Sequence, residues 1–435
     1  MSTPSRRLFV AGAGGTAVAA TAGAVPAVAH GRPGGRRVRT GADIAAASGW
    51  STLRGQKVGV ITNPTGVTAD LRSIVDVMHE SAQVDVVGVF GPEHGFRGTA
   101  QAGESEGTSV DPRTGITVYD AYGAGPDALT TMFRTAGVET VVFDIQDVGS
   151  RFYTYIWTMY TGMRAAHRVG ARFVVLDRPN PIGGVARGPM MTEKYTSGVG
   201  AEAVVQAHGM TVGEVARYAN RHFMDEDEGG RLADLDVVEC TGWRRDMLHA
   251  DTGLHWVMPS PNMPTADTAL LYPGTGMFEG TNLSEGRGTT RPFELVGAPY
   301  VDHRWAERLE RADVPGVLFR EAYFTPTFSK HSGAVCGGVQ VHITDAAKVD
   351  PIRVGVEMLV ALRALYPDFA WRQDSWDTAR PYWIDKLTGS TRLREMVTAG
   401  SSAREVMAAW RSELADFERR RQPVLLYPGP RRAGR

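Results

Sequence analysis

Four apolar runs, at residues 57–62, 84–90, 140–145 and 172–177, constrain this chain more than any other feature. Each is nearly continuous in Val, Ile, Leu and Phe, and each ends in a cluster of glycine, proline and polar residues. The clusters are Asn63-Pro64-Thr65-Gly66, Gly91-Pro92-Glu93-His94-Gly95, Gln146-Asp147-Val148-Gly149 and Arg178-Pro179-Asn180-Pro181. Runs without polar alternation suit strands covered on both faces, and the intervals between these leave room for crossover helices. The pattern predicts an α/β chain built on a doubly wound parallel sheet. Helices are expected at 69–80, 128–136 and 158–169, and residues 98–125 are too rich in turn formers for one helix. That segment reads as an insertion carrying a short strand at 116–119.

Further along, Thr211-Val212-Gly213-Glu214 is a capping box, in which the threonine oxygen and the glutamate each satisfy an amide of a helix's first turn. Glu214 is therefore assigned a structural role. The acidic stretch 225–228 before Gly229-Gly230 reads as a solvated loop. Composition turns loop-rich after residue 240, where a change of domain is expected. Strands at 317–319 and 338–343 and helices at 351–365 and 403–421 complete a smaller α/β part. The division is 1–29, 30–39, 40–240 and 241–435.

The first 29 residues have the pattern of an export signal. Arg6-Arg7 precedes a weakly apolar run that ends in Ala27-Val28-Ala29, a twin-arginine arrangement, and the run is too broken by glycine and threonine to span a membrane. Residues 30–39 read as a disordered leader, with the fold beginning near Val38. The 435 residues exceed one comfortable core, and 43% apolar content is enough for two. With 47 basic against 48 acidic residues the chain lacks the electrostatic footprint of a nucleic-acid binder, so a small or neutral partner is expected. Nothing in the sequence sets an oligomeric state. Cys240 and Cys336 have no CxxC partner, which excludes a cysteine zinc site and favours two free thiols.

In an open parallel sheet, ligands gather at the carboxyl ends of the strands, where all four clusters should form one crevice. Glu93 is singled out because a carboxyl at an apolar strand end suits a general acid, with His94 placed to orient it. At the third strand end Asp144 reads as buried support, while Asp147 and Arg151 are within reach of a ligand, followed by Phe152, Tyr153 and Tyr155 as a sugar platform. Arg178 and Asn180 close the fourth. Asn262 lies in a proline-rich loop. The stretch from Ser284 to Thr290 sets Glu285, Arg287 and Thr289 on an open glycine backbone, where Arg287 suits a fork-shaped contact with a ligand carboxylate. No Walker A loop or His-Glu-x-x-His pair occurs, and the Gly-x-Ser-x-Gly string at residues 103–107 falls in the turn-rich 98–125 segment rather than at a strand-to-helix elbow, which removes the usual support for serine hydrolases, NTPases and zincins.

Taken in order, the strings 62–68, 90–98, 143–149, 151–155, 176–181, 208–211, 259–265 and 279–290 resemble the exo-β-N-acetylmuramidases of the NamZ type, over residues 38–427. That resemblance implies a Rossmann-like N-terminal domain without a nucleotide, a smaller C-terminal domain and an exo-glycosidase site in the cleft between them. It also implies Glu93 as the family glutamate and no cofactor or metal. The chain departs from the family at 203–207, Ala-Val-Val-Gln-Ala, where a proline-containing segment is usual. The expected activity is release of non-reducing terminal β-1,4-linked N-acetylmuramic acid from peptidoglycan fragments. Glu93 would be the acid/base, and Glu285, Asp147 or the substrate's own acetamido oxygen the second group. Two other readings stay open: a sugar-binding protein without turnover, and a metal-dependent hydrolase using Asp144, Asp147 and His94.

Overall fold

The computed structural model describes residues 37–98 and 107–429; the expected export signal and residues 30–36 of the expected leader lie outside them. Residues 37–39 do not form a leader. Val38 is buried and its amide donates to the Thr252 carbonyl, while Arg39 bridges to Thr241.

The large sheet takes β1 (Lys57–Thr62), β2 (Asp85–Gly91), β3 (Ser109–Val110), β4 (Thr117–Asp120), β5 (Thr140–Asp144) and β6 (Arg172–Leu176) from the first part of the chain. After the antiparallel pair β7 (Arg187–Met190) and β8 (Val205–Ala207), it is completed by β9 (Leu235–Val238). Its order is β3-β4-β2-β1-β5-β6-β9, parallel throughout except for the edge pair β3–β4. The reason is the one the runs gave: β5 is buried at every position, and its side chains alternate between two cores. Val141 and Phe143 join Ile61, Phe90 and Phe173 on one face, while Val142 joins Val58, Val60, Val174 and Leu176 on the other.

Helices α1 (Gly41–Ala47) and α2 (Ile74–Ser81) cover the second face; α3 (Pro126–Ala136), α4 (Tyr155–Val169) and α5 (Val212–His222) cover the first. α5 opens on the expected box, with Thr211 Oγ1 accepting from the Glu214 amide and Glu214 accepting from that of Thr211. Two expectations fail nearby. α2 starts five residues later than 69, because Val67 and Ser73 pair across a turn with Leu71 left-handed. The acidic stretch is a short helix, α6 (Met224–Glu228), rather than a loop: Asp225 and Glu226 are solvated as expected, while Glu228 holds Arg164 and Arg168 of α4.

Beyond α7 (His249–Thr252) and α8 (Ala266–Thr275), an antiparallel sheet β10-β12-β11 forms from Leu295–Ala298, Cys336–Ile343 and Val317–Phe324. α9 (Arg304–Arg311) and α10 (Pro351–Leu365) pack on it. Gly274 in α8 touches α10 so closely that a Cβ there would lie 1.8 Å from the Pro351 carbonyl oxygen. The expected last helix is two, 403–408 and 411–421, broken at the buried Trp410. Cys240 and Cys336 are both free and buried. Among the described residues no helix is long and apolar enough to cross a membrane.

Candidate active site

β2 ends in a tight reversal. The Gly95 amide donates to the Pro92 carbonyl at 2.9 Å, and His94 and Gly95 both take left-handed backbone angles, with φ of 72° and 73°. That conformation costs a histidine roughly 1–2 kcal/mol, so the surrounding packing must hold it. The turn sets half-buried Glu93 and buried His94 in the wall of a cavity of about 140 Å³. Thr154 Oγ1, just ahead of α4, donates to Glu93 Oε2 at 3.0 Å and fixes the carboxyl.

Aromatic rings make much of the remaining wall. Tyr272 of α8 meets Phe152, Tyr153 and Phe293 edge-on at 5.0, 5.7 and 4.7 Å between centroids. Burial pushes the phenols of Tyr153 and Tyr272 well above their ordinary pKa, which keeps them neutral donors. The Tyr153 hydroxyl lies toward Ser260 without closing a well-formed hydrogen bond. Ser260 and Asn262 of the proline-rich loop complete the rim.

The far wall carries charge. Arg287 lies 5.1 Å over the Phe293 ring, its Nη2 3.0 Å from Glu279 Oε1 and its Nε 3.3 Å from Glu285 Oε1. Burial works against that charge, but Glu279 and Glu285 outweigh it and raise the guanidinium pKa above its usual value. Glu285 is locked on its other oxygen by Lys330 Nζ at 2.8 Å. Glu279 and Arg287 also border a second, wider hollow of about 540 Å³ that includes Lys330, His331 and Arg372.

Of the residues expected at the site, Glu93, His94, Tyr153, Asn262 and Arg287 meet in one cavity, and others are placed elsewhere. Glu285 borders the wider hollow, behind Arg287. Asp147 is buried, accepting from the Gly149 amide at 2.6 Å and from His208 Nε2 at 3.1 Å. The Met210 amide donates to His208 Nδ1, so the ring proton sits on Nε2. Arg151 is fully buried, forms no ion pair among the described residues and spans the carbonyls of Pro189, Val204 and Leu387; burial lowers its pKa to about 9. Asn180 bridges Met210 and Ile182, and Thr289 bonds within its own turn.

The four strand-end clusters do not form one crevice either. The chain runs outward from β1 to β2 and returns over it to β5, so the switch point lies between β1 and β5. There Thr62 Oγ1 donates to the Asp144 carbonyl and Thr65 Oγ1 accepts from the Gln146 amide, both at 2.8 Å, stitching the loops together. Arg178 closes on Asp144 beneath them. The space left, lined by Thr65, Gln146 and Arg178, is about 30 Å³, room for a water or two and not for a nucleotide. Among the described residues no three His, Cys, Asp or Glu side chains cluster as metal ligands. Asp144, one ligand of that reading, is spent on Arg178.

Sequence reasoning missed Thr154, Tyr272 and Glu279. Glu279 offered a related signal, a carboxylate directly after the apolar Met277-Phe278 and before Gly280, but in a 3₁₀ turn rather than after a strand.

Two family models match the chain, those for the N-terminal part of the exo-β-N-acetylmuramidase NamZ over residues 58–267 and for its C-terminal part over 270–427. A peptidoglycan β-N-acetylmuramidase NamZ of Bacillus subtilis (strain 168) is 42% identical over 393 residues, 90% of this chain and 92% of that protein. Among solved structures, a DUF1343 family protein of Bacteroides fragilis NCTC 9343 superposes with a TM-score of 0.79 at 34% identity, over 90% of this chain and 99% of that one. A second from the same organism gives 0.72 at 27%, over 91% and 100%. With both halves matched in order and the motif glutamate set in a cavity between them, the chain belongs to the NamZ family of exo-β-N-acetylmuramidases.

Proposed function

We propose that this chain is an exo-acting glycoside hydrolase that releases non-reducing terminal β-1,4-linked N-acetylmuramic acid from peptidoglycan fragments during cell-wall turnover. The observation that carries the reading is Glu93 itself. It is a carboxyl fixed by Thr154 in an aromatic-walled cavity, in a chain 42% identical to a relative named for this activity. Glu93 is the general acid, protonating the leaving oxygen as the glycosidic bond breaks. The flat rings of Phe152, Tyr153 and Tyr272 suit the apolar face of a pyranose, and Ser260 and Asn262 suit its polar edge. Arg287 suits the lactyl carboxylate that distinguishes muramic acid from glucosamine, since its Nη1 has no hydrogen-bond partner among the described residues.

The division into residues 40–240 and 241–435 belongs to the same proposal, supported by the large sheet using no strand after Val238 among the described residues. Export by the twin-arginine route rests on Arg6 and Arg7 ahead of the weakly apolar run that ends in Ala27-Val28-Ala29; secretion of an Arg6→Lys, Arg7→Lys double variant at the parent level would refute it. The activity is tested by incubating the protein with the disaccharide N-acetylmuramyl-N-acetylglucosamine and separating the products. Free muramic and glucosamine sugars are expected. Tight binding without cleavage would instead favour the sugar-binding reading.

A further inference from the structure

The two residues expected to supply the second catalytic group do not face the cavity: Asp147 is sealed against His208, and Glu285 is locked between Arg287 and Lys330. Among the described residues, the carboxylates that line the Glu93 cavity are Glu93 and Glu279. Glu279 Oε1 is held by Arg287 at 3.0 Å, whereas its Oε2 has no hydrogen bond among the described residues and its side chain keeps 18% of its surface exposed. The same residue forms the wall shared with the 540 Å³ hollow.

We propose that Glu279 is the catalytic base opposite Glu93, a role that rests on the glycosidase reading above. Glu279 Oε2 takes a proton from a water molecule while the water oxygen bonds to the anomeric carbon. The bond from that carbon to the bridging oxygen breaks, and the bridging oxygen takes its proton from Glu93. One proton is gained at Glu279 and one lost at Glu93, and exchange with solvent restores both. Arg287 orients Glu279 through its other oxygen, and Lys330 anchors Glu285, which in turn steadies Arg287. A single displacement of this kind inverts the anomeric centre.

The test compares two substrates, the disaccharide and the 4-nitrophenyl β-glycoside of N-acetylmuramic acid, whose leaving group departs without a proton. Glu279→Gln should lose about 10²- to 10⁴-fold in kcat on both, whereas Glu93→Gln should lose that much on the disaccharide and far less on the nitrophenyl glycoside. Azide, a nucleophile that needs no base, should restore turnover to Glu279→Ala and yield the α-glycosyl azide. The first muramic acid released by the unaltered protein should be the α anomer by NMR. Near-normal kcat in a folded Glu279→Gln protein, failure of azide to rescue Glu279→Ala, or a β first product would each overturn the base assignment. Failure of the unaltered protein to cleave either substrate would overturn the activity instead.

Discussion

Two arginine–carboxylate clusters in this molecule look alike on paper and differ in what surrounds them. Arg178 and Asp144 sit at the sheet's switch point, 6% and 0% exposed, with Nε and Nη2 of the guanidinium on both carboxylate oxygens and the Val67 carbonyl. Arg287 meets Glu279 and Glu285 between two cavities and keeps one terminal nitrogen open among the described residues. The first cluster fills the place where an open α/β sheet offers a ligand crevice, and the ligand space moves to the junction of the two family segments. Both guanidiniums keep Nη1 without a hydrogen-bond partner among the described residues, so the difference is the space beside them, about 30 Å³ at Arg178 and about 140 and 540 Å³ on the two sides of Arg287.

The largest expected effect sharpens the open side. A Glu93→Gln protein should keep its melting temperature and lose about 10²- to 10⁴-fold in turnover of the disaccharide. Turnover within tenfold of the parent would remove Glu93 from the chemistry. On the sealed side, Arg178→Met leaves the Asp144 carboxylate buried without its partner, which should cost about 3–5 kcal/mol in urea unfolding. Activity per folded molecule should hardly change. Adding Asp144→Asn should recover part of that loss, and a variant with parental stability but no activity would break the comparison by making Arg178 a ligand contact.

Smaller effects separate recognition from bracing. Arg287→Ala should lower kcat/KM for a muramic substrate by roughly tenfold beyond its effect on the matched glucosamine substrate, about 1.4 kcal/mol of discrimination. An unchanged ratio would assign the lactyl carboxylate to another group. Smallest of all, Thr154→Val removes the hydroxyl that donates to Glu93 and should cost about 0.5–1.5 kcal/mol in kcat/KM, about twofold to twelvefold, with little change in melting temperature. A fall in stability without a fall in rate would make Thr154 a helix-start residue only.

By itself the sequence determined the four adjacent strands β2-β1-β5-β6 of the large sheet, and not β3 or β9. β1 was placed to the residue and β2, β5 and β6 to within one or two, because a strand buried on both faces leaves an unbroken apolar run that local composition displays. The Thr211 capping box was legible for a similar reason, since both partners lie within one helical turn. Glu93 and His94 were legible because a strand-end turn is a local device. Tertiary structure alone decided which polar groups face the cavity. Arg151 and Asn180 follow strand ends just as Glu93 does, but their partners, Leu387 and Met210, are 236 and 30 residues away in sequence and turn them inward. Glu279 and Glu285 are six residues apart in one glycine-rich stretch, and only the arrival of Lys330 from a distant loop locks one and leaves the other exposed. Burial and pairing are sums over neighbours in space, and a run of residues carries no record of which distant groups will complete them.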